Sequence, residues 1–327
     1  MRLTLLLFFV VAFGFCQSPE IYKKSFKAMG CGFEATVVAN DAQQADTFLD
    51  AAINNIRRIE ALISSWDENS QTGNINRSAG IEPVQVDVEL FNLIKRSIAI
   101  SKLTDGAFDI TYASMDKVWK FDGSVTQLPD SNTVKESVRK VGYQNIQLSE
   151  DNRSVFLPEK GMKIGFGAIG KGYAADHTMN LLKSLGVTSG IINASGDLRT
   201  WGQQPNGEPW QIGVKNPLNK NKVFVLLPLV NQALVTSGNY EKFITIDGKR
   251  YAHIIDPRTG YPTSGLTSVT IIASSAELAD ALATSVFVMG KDVGLDFVNQ
   301  LKDVECVLVQ DDGMVFYSDH INAKELK

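Results

Sequence analysis

Asp280 and Thr284 stand four residues apart in the run ADALATSVFVMG (279–290), the spacing that puts two side chains on one face of a helix. A carboxylate and a hydroxyl so placed offer hard oxygen ligands to a cation, and Ala279, Ala281 and Ala283 beside them leave room for a bulky ligand. Taken alone the pair does not make a site, because a helical threonine commonly bonds the carbonyl four residues back and a helical aspartate usually faces water. Upstream, His253 opens HIIDPRTGYP (253–262), whose two prolines and glycine read as a rigid turn. An imidazole there, with an unperturbed pKa of about 6.5, can exchange protons near neutral pH; its bland alternative is a satisfied residue at a strand end. No C-x-x-C or H-E-x-x-H pattern occurs, which disfavours zinc and favours magnesium.

A third candidate is the glycine cluster at 165–172. Gly165, Gly167 and Gly170 match G-x-G-x-x-G, but no regular βαβ unit surrounds them and no acidic residue follows at about 20 positions, as a dinucleotide fold needs. The same segment matches G-x-x-x-x-G-K, but Gly172 occupies the place where a phosphate loop carries Ser or Thr. What remains is physical: glycines admit a ligand close to the backbone, a helix follows, and Lys171 can neutralise phosphate. A tight turn with a solvated lysine would look the same. Trp66, alone in a polar loop, reads as a packing residue before a stacking platform, and Asp105 and Asp109 as loop caps or ligand contacts. Residues 193–197 read as a turn, with nothing beside Ser195 to make it a nucleophile.

The elements that must position these groups follow from hydrophobic spacing. Residues 25–39 read as extended structure broken by Gly30 and Gly32. A helix capped by Asp41 carries Ala45, Phe48, Leu49, Ala52, Ile53, Ile56 and Ile59 on one face. A polar loop over 64–80 leads to a second helix over 87–102, stopped by Gly106. A short helix at 131–141, a hairpin turning at Asp151 and Asn152, a short strand at 163–166 and a helix ended by Gly186 come next. From 190 to 272 short apolar runs (GIINA, DLRTWG, WQIGV, VFVLLPL, FITI, YAHII) alternate with turn signals, the mark of a mostly antiparallel sheet. Ser275 caps the Asp280 helix, another helix covers 293–301, and a hairpin closes the chain. The fold class is α+β: a mixed, largely antiparallel sheet core flanked by helices.

Composition sets the outer bounds. The 327 residues are 44% hydrophobic and 21% charged, ordinary for a globular protein with a substantial core. Formal charge is 32 − 36 = −4, and no basic stripe with interleaved aromatics exists, which argues against a nucleic-acid partner. Residues 1–16, MRLTLLLFFVVAFGFC, place Arg2 ahead of an apolar run too short to span a membrane and read as an export signal, leaving 17–327 as one domain. Ala12, Phe13 and Gly14 suit ordinary cleavage; Cys16 is the alternative start, a lipidated residue anchoring a periplasmic protein to a membrane. Cys31 and Cys306 read as two unpaired buried thiols, with a disulfide as the second possibility in an oxidising compartment.

Taken together, Met29-Gly30, DGAFDIT (105–111), GAIGKGYAAD (167–176), NASGDLRTWG (193–202), TSGNYEKF (236–243), HIIDPRTGYP (253–262) and ADALATSVFVMG (279–290) resemble the ApbE family over nearly the whole mature chain. That family consists of flavin transferases that move FMN from FAD onto a protein threonine or serine. The resemblance implies an ApbE-like fold, FAD as substrate and Mg2+ held by Asp280, Thr284 and the carbonyl of Ala168. It implies an FAD site lined by Met29, Trp66, Ala107, Phe108, Asp109, Lys171, Ala174 and Ile254, with His253 as the catalytic residue. It further implies an acceptor flavoprotein with a motif like [ST]-G-A-[ST], such as a subunit of a redox pump or another exported flavoprotein. This chain has neither S-G-A nor T-G-A, so transfer is expected in trans. Trp66 replaces a frequent tyrosine, Gly170 a frequent alanine, and Ser195 the first glycine of a frequent GGD. An FAD pyrophosphatase giving FMN and AMP, and a non-catalytic periplasmic FAD carrier, are the alternatives.

Overall fold

Alternation of small, β-branched and polar residues makes the N-terminal hairpin. Strands β1 (Glu20–Ala28) and β2 (Cys31–Ala39) pair antiparallel from Glu20↔Ala39 to Ala28↔Cys31. Met29 and Gly30 turn the corner at φ 50° and 71°, the two-residue geometry whose twist matches that of the strands. The computed structural model describes residues 18–122, 124, 127–215, 223–239 and 243–321. The 1–16 segment with Cys16, and residues 240–242 of the TSGNYEKF motif, lie outside the described residues.

Helix α1 (Ala42–Ile63) begins where Asp41 accepts the Gln44 N–H at 2.8 Å and buries the spacing seen in the sequence, from Ala45 to Ile59. There follow α2 (Gln71–Arg77), β3 (Val84–Gln85), α3 (Val88–Leu103), α4 (Ser131–Ser137), β4 (Gln147–Ser149), β5 (Ser154–Phe156) and α5 (Gly170–Ser184). The strand-rich stretch runs through β6 (Gly190–Ala194), β7 (Asp197–Trp201), β8 (Trp210–Lys215), β9 (Val223–Leu229), β10 (Ala233–Gly238), β11 (Phe243–Ile246), β12 (Lys249–Ala252) and β13 (Leu266–Ala273). Helices α6 (Ala276–Met289) and α7 (Lys291–Asn299) and the hairpin β14 (Val304–Gln310) with β15 (Val315–Tyr317) complete it.

Eight strands form the main sheet in the order β1-β2-β6-β7-β10-β13-β14-β15, with every pairing antiparallel. Helices α1, α5 and α6 cover one face, their Leu49, Ile56, Leu182, Leu282 and Phe287 sharing a core with Val235 of β10 and Ile271 of β13. The β8–β9 hairpin covers part of the other, packing Trp210 and Ile212 on Leu198, Leu234 and Ile272. Both faces of β13 are therefore covered, and all eight of its residues are buried. A second core, with Leu90, Phe91, Ile94, Val155 and Leu157 at its centre, adjoins the first at Met29 and Leu278, which pack against both.

Several local expectations change: β2 runs unbroken through Gly32, and the helix expected over 131–141 ends at Ser137. Residues 163–166 are not a strand: the Asn76 amide takes both Ile164 backbone groups, at 2.8 and 3.0 Å, and the Gly165 N–H bonds the Ile110 carbonyl. The polar loop over 64–80 contains α2, capped by Ser70 through the Gly73 N–H at 2.7 Å. Only Thr72, Gly73 and Ile75 of it are buried, too few to show a period. Strand β10 is an addition, its polar half (TSG) hiding the strand pattern of its first half.

Candidate active site

Helix α5 starts without a cap of its own, since Ile169 offers no side-chain acceptor. Asp280 of α6 supplies one from outside: its Oδ2 accepts the Gly172 N–H at 3.0 Å, and the Lys171 N–H is directed to the same carboxylate. A carboxylate at a helix N-terminus is favoured by the exposed amides and the dipole. This approach requires Gly172, because a Cβ there would stand 2.0 Å from the Ala276 carbonyl oxygen. Gly172→Ala is expected to force α5 and α6 apart at a cost of about 1–3 kcal/mol or more, visible as a Tm lower by several degrees. An unchanged Tm would show that the two helices separate freely.

The charges at this junction are unbalanced. The Lys171 ammonium pairs with the Asp197 carboxylate, which is 1% exposed, while Asp280 is 3% exposed. Burial, then the nearby Asp197 charge, pushes the Asp280 carboxyl up to about 7, against the pull of Lys171 and the α5 amides. Burial likewise raises Asp197. Burial works against the Lys171 charge, but Asp197 and Asp280 outweigh it and hold the ammonium above the usual lysine range. Two buried carboxylates and one ammonium leave a negative excess that a cation would relieve.

Asp197, the partner of Lys171, is the residue of this junction that spacing alone misses. Its signal was a carboxylate opening a strand, DLRTW, whose five positions are all buried. The turn before it behaves as expected: the Gly196 N–H bonds Asn193 Oδ1 at 2.8 Å. Ser195, standing where glycine is frequent in the family it resembles, takes φ 57°, a conformation glycine reaches without strain.

His253 lies one residue beyond β12 in a hairpin clamped on both sides. The Ala252 N–H bonds the Thr263 carbonyl and the Thr263 N–H the Ile254 carbonyl, each at 2.9 Å, and Asp256 bonds Tyr261 at the same distance. The corner glycine, Gly260, has φ 77° and its carbonyl accepts the Trp119 indole N–H at 2.7 Å. The imidazole is thus carried on a fixed backbone.

Two cavities meet at His253 and Ile254. The larger, about 860 Å³, is lined by Lys27, Glu34, Lys171, Asn193, Thr236 and Ser237 among others. The smaller, about 340 Å³, is lined by Ala107, Phe108, Asp109, Tyr112, Met115, Ala168, Pro257 and Thr284 among others. The loop supplying its far wall is set by Asp109, whose carboxylate accepts the Thr111 N–H and hydroxyl at 2.7 and 2.6 Å and the Tyr143 N–H at 2.8 Å. That carboxylate is spent on the loop itself, and burial raises its pKa.

The structure therefore gathers Ala107, Phe108, Asp109, Ala168, Ile254 and Thr284 around one cavity, with His253 at the join and Lys171 on the neighbouring wall. Asp280 lies behind them, one helical turn before Thr284, whose Oγ1 is 3.3 Å from Ser237 Oγ. Besides Asp280, three of the expected residues line neither cavity. The Met29 N–H donates to Glu60 Oε1 at 2.6 Å and its side chain packs between the two cores. Ala174 is fully buried in the second core, and Trp66 is 85% exposed with the Lys117 ammonium 5.5 Å above its ring. Among the described residues no three His, Cys, Asp or Glu cluster as a metal site. The donors available, one buried carboxylate in a negative environment, one hydroxyl and one carbonyl, are all hard oxygens and fit a magnesium ion that keeps positions for other ligands.

The sequence model of the ApbE family matches residues 29–308. Among curated proteins the chain is 34% identical over 292 residues to an FAD:protein FMN transferase of Klebsiella pneumoniae, covering 89% of each. It is 28% identical over 290 residues to the FAD:protein FMN transferase of Escherichia coli K12, covering 87% of this chain and 83% of that one. Among solved structures, the ApbE protein of Thermotoga maritima superposes with a TM-score of 0.83 at 36% identity, over 94% of this chain and all of that one. The family match spans the glycine cluster, the His253 hairpin and the Asp280 helix that build the two cavities, and the chain belongs to the ApbE family.

Proposed function

We propose that this protein transfers FMN from FAD to a threonine or serine hydroxyl of an acceptor flavoprotein, releasing AMP, with Mg2+ as the required metal. The observation that carries this reading is the join of two cavities at His253, with Thr284 and Ala168 on one side and Lys171 on the other. The acceptor oxygen bonds the FMN-side phosphorus as the diphosphate P–O bond breaks and AMP departs with the bonding pair. His253 takes the proton of the attacking hydroxyl, and Lys171, held by Asp197, faces the phosphates as a fixed positive charge. Asp280, Thr284 and the Ala168 carbonyl would hold the metal, which when bound neutralises charge on the diphosphate oxygens. The rest is positioning of the reacting groups in line.

The acceptor is a separate flavoprotein bearing an S/T-G-A-S/T-like motif, and residues 1–16 direct the enzyme out of the cytoplasm, with Cys16 as a candidate lipid anchor. The test is to mix mature protein, FAD, Mg2+ and an acceptor carrying that motif, and to follow AMP release together with in-gel flavin fluorescence of the acceptor. Both signals, lost with a chelator, are expected. AMP with an unlabelled acceptor would make the protein an FAD pyrophosphatase, and FAD binding with neither product would make it a carrier.

A further inference from the structure

Tyr112, in the wall of the smaller cavity, has its two ends in different environments. Its hydroxyl fits against the glycines ahead of Ala168: a Cβ on Gly167 would lie 2.5 Å from that oxygen and one on Gly165 3.5 Å away. The Gly167 N–H is directed to the same oxygen. The hydroxyl end is buried there, yet the residue as a whole is 39% exposed and lines the cavity beside Phe108, Met115 and Pro257. The exposed part is therefore ring, held in place by a tether at its far end.

The division of the substrate between the cavities follows from the reaction. In displacement at phosphorus the attacking and leaving oxygens stand on opposite sides. An acceptor hydroxyl arrives on a protein segment, and only the cavity of about 860 Å³ has room for that beside the FMN half. The AMP half, which leaves, falls to the cavity of about 340 Å³. Its base is flat and aromatic, and such bases bind by stacking on aromatic side chains. Trp66, the aromatic residue the sequence points to, lines neither cavity.

We propose that Tyr112 contacts the adenine of the dinucleotide, and that the anchoring of its hydroxyl at Gly165 and Gly167 fixes where the ring stands. The proposal rests on the FMN-transfer reading, whose AMP half it places. The test titrates ADP, FMN and FAD, each with Mg2+, into the wild-type protein, Tyr112→Phe and Tyr112→Leu by calorimetry. Tyr112→Leu is expected to weaken ADP and FAD about tenfold or more with FMN unchanged, and Tyr112→Phe to fall between. In steady-state transfer the Leu variant should raise KM for FAD with little change in kcat, the pattern of an interaction made equally in ground and transition states. A merely structural role would not separate ADP from FMN. Should Tyr112→Leu fail to fold, Tyr112→Met replaces it, keeping bulk without the ring. Unchanged ADP affinity in the folded variant, or a loss confined to FMN, overturns the proposal. A wild-type protein that binds no FAD would instead remove the transfer reading itself.

Discussion

Exchanging His253 for alanine is expected to slow FMN transfer about 10²- to 10⁴-fold while FAD affinity stays within a few-fold of the wild-type value. The hairpin that carries the residue is held by backbone bonds, from Ala252 to Thr263 and from Thr263 to Ile254, so removing the imidazole leaves the frame standing. The dinucleotide would span two cavities, and most of its contacts lie away from this one exposed ring. On the proposed reaction, what disappears is the acceptor for the proton of the incoming hydroxyl. The measurement is kcat at saturating FAD and acceptor alongside a calorimetric FAD titration. Falling kcat and kcat/KM together would mark an interaction present only in the transition state. Equal losses in rate and FAD affinity would reassign His253 to substrate binding, and retained transfer would end its role altogether.

Asp280→Asn is expected to cost about 10²-fold or more in Mg2+-dependent transfer and, in metal-free protein, to stabilise the fold at alkaline pH. The carboxyl is pushed from 3.8 to about 7, so the folded state holds that proton more tightly than the unfolded chain. Its contribution to stability is full below about 3.8 and is lost as pH rises through about 7, a change of a few kcal/mol at most. Asn keeps an oxygen for the Gly172 N–H and has no charge to bury. Denaturant unfolding of metal-free protein from pH 5 to 8 should therefore show wild-type stability falling more steeply than that of the variant. Adding Mg2+ at pH 8 should raise the wild-type Tm and leave the variant unmoved. Parallel pH curves would mean that Lys171 already balances the site without a cation.

Much of the scaffold could be read from the chain because its signals are local. The Asp41 and Ser275 caps and the face of α1 each depend on residues a few positions apart and fold as read, and the extended run over 25–39 breaks at Gly30 as read but continues through Gly32. The site was less legible because its bonds are not local. Asp280 caps a helix that begins more than a hundred residues before it, and Lys171 finds its partner in Asp197 across the end of the sheet. Neither pairing leaves a period or a spacing. The glycine cluster shows why a motif needs its context: Gly165 and Gly167 make room for a tyrosine hydroxyl, and Gly172 for the backbone of a neighbouring helix. The family resemblance carries His253, Thr284 and Ala168 to one place, and the fold brings them to adjoining walls.

The contact between Gly172 and Asp280 joins residues 108 positions apart, and strand β2 finds β6 at Phe33↔Ala194. The consequence concerns time. Long loops must close before such contacts reward the chain, so folds built on them form slowly. No N-terminal fragment that ends before α6 can hold the junction of α5 and α6, and FAD binding should emerge only with the last phase of refolding. Until α6 docks, the eight residues of β13 that end up buried stand open as an apolar strand. A chain delayed at that stage is the one most exposed to aggregation.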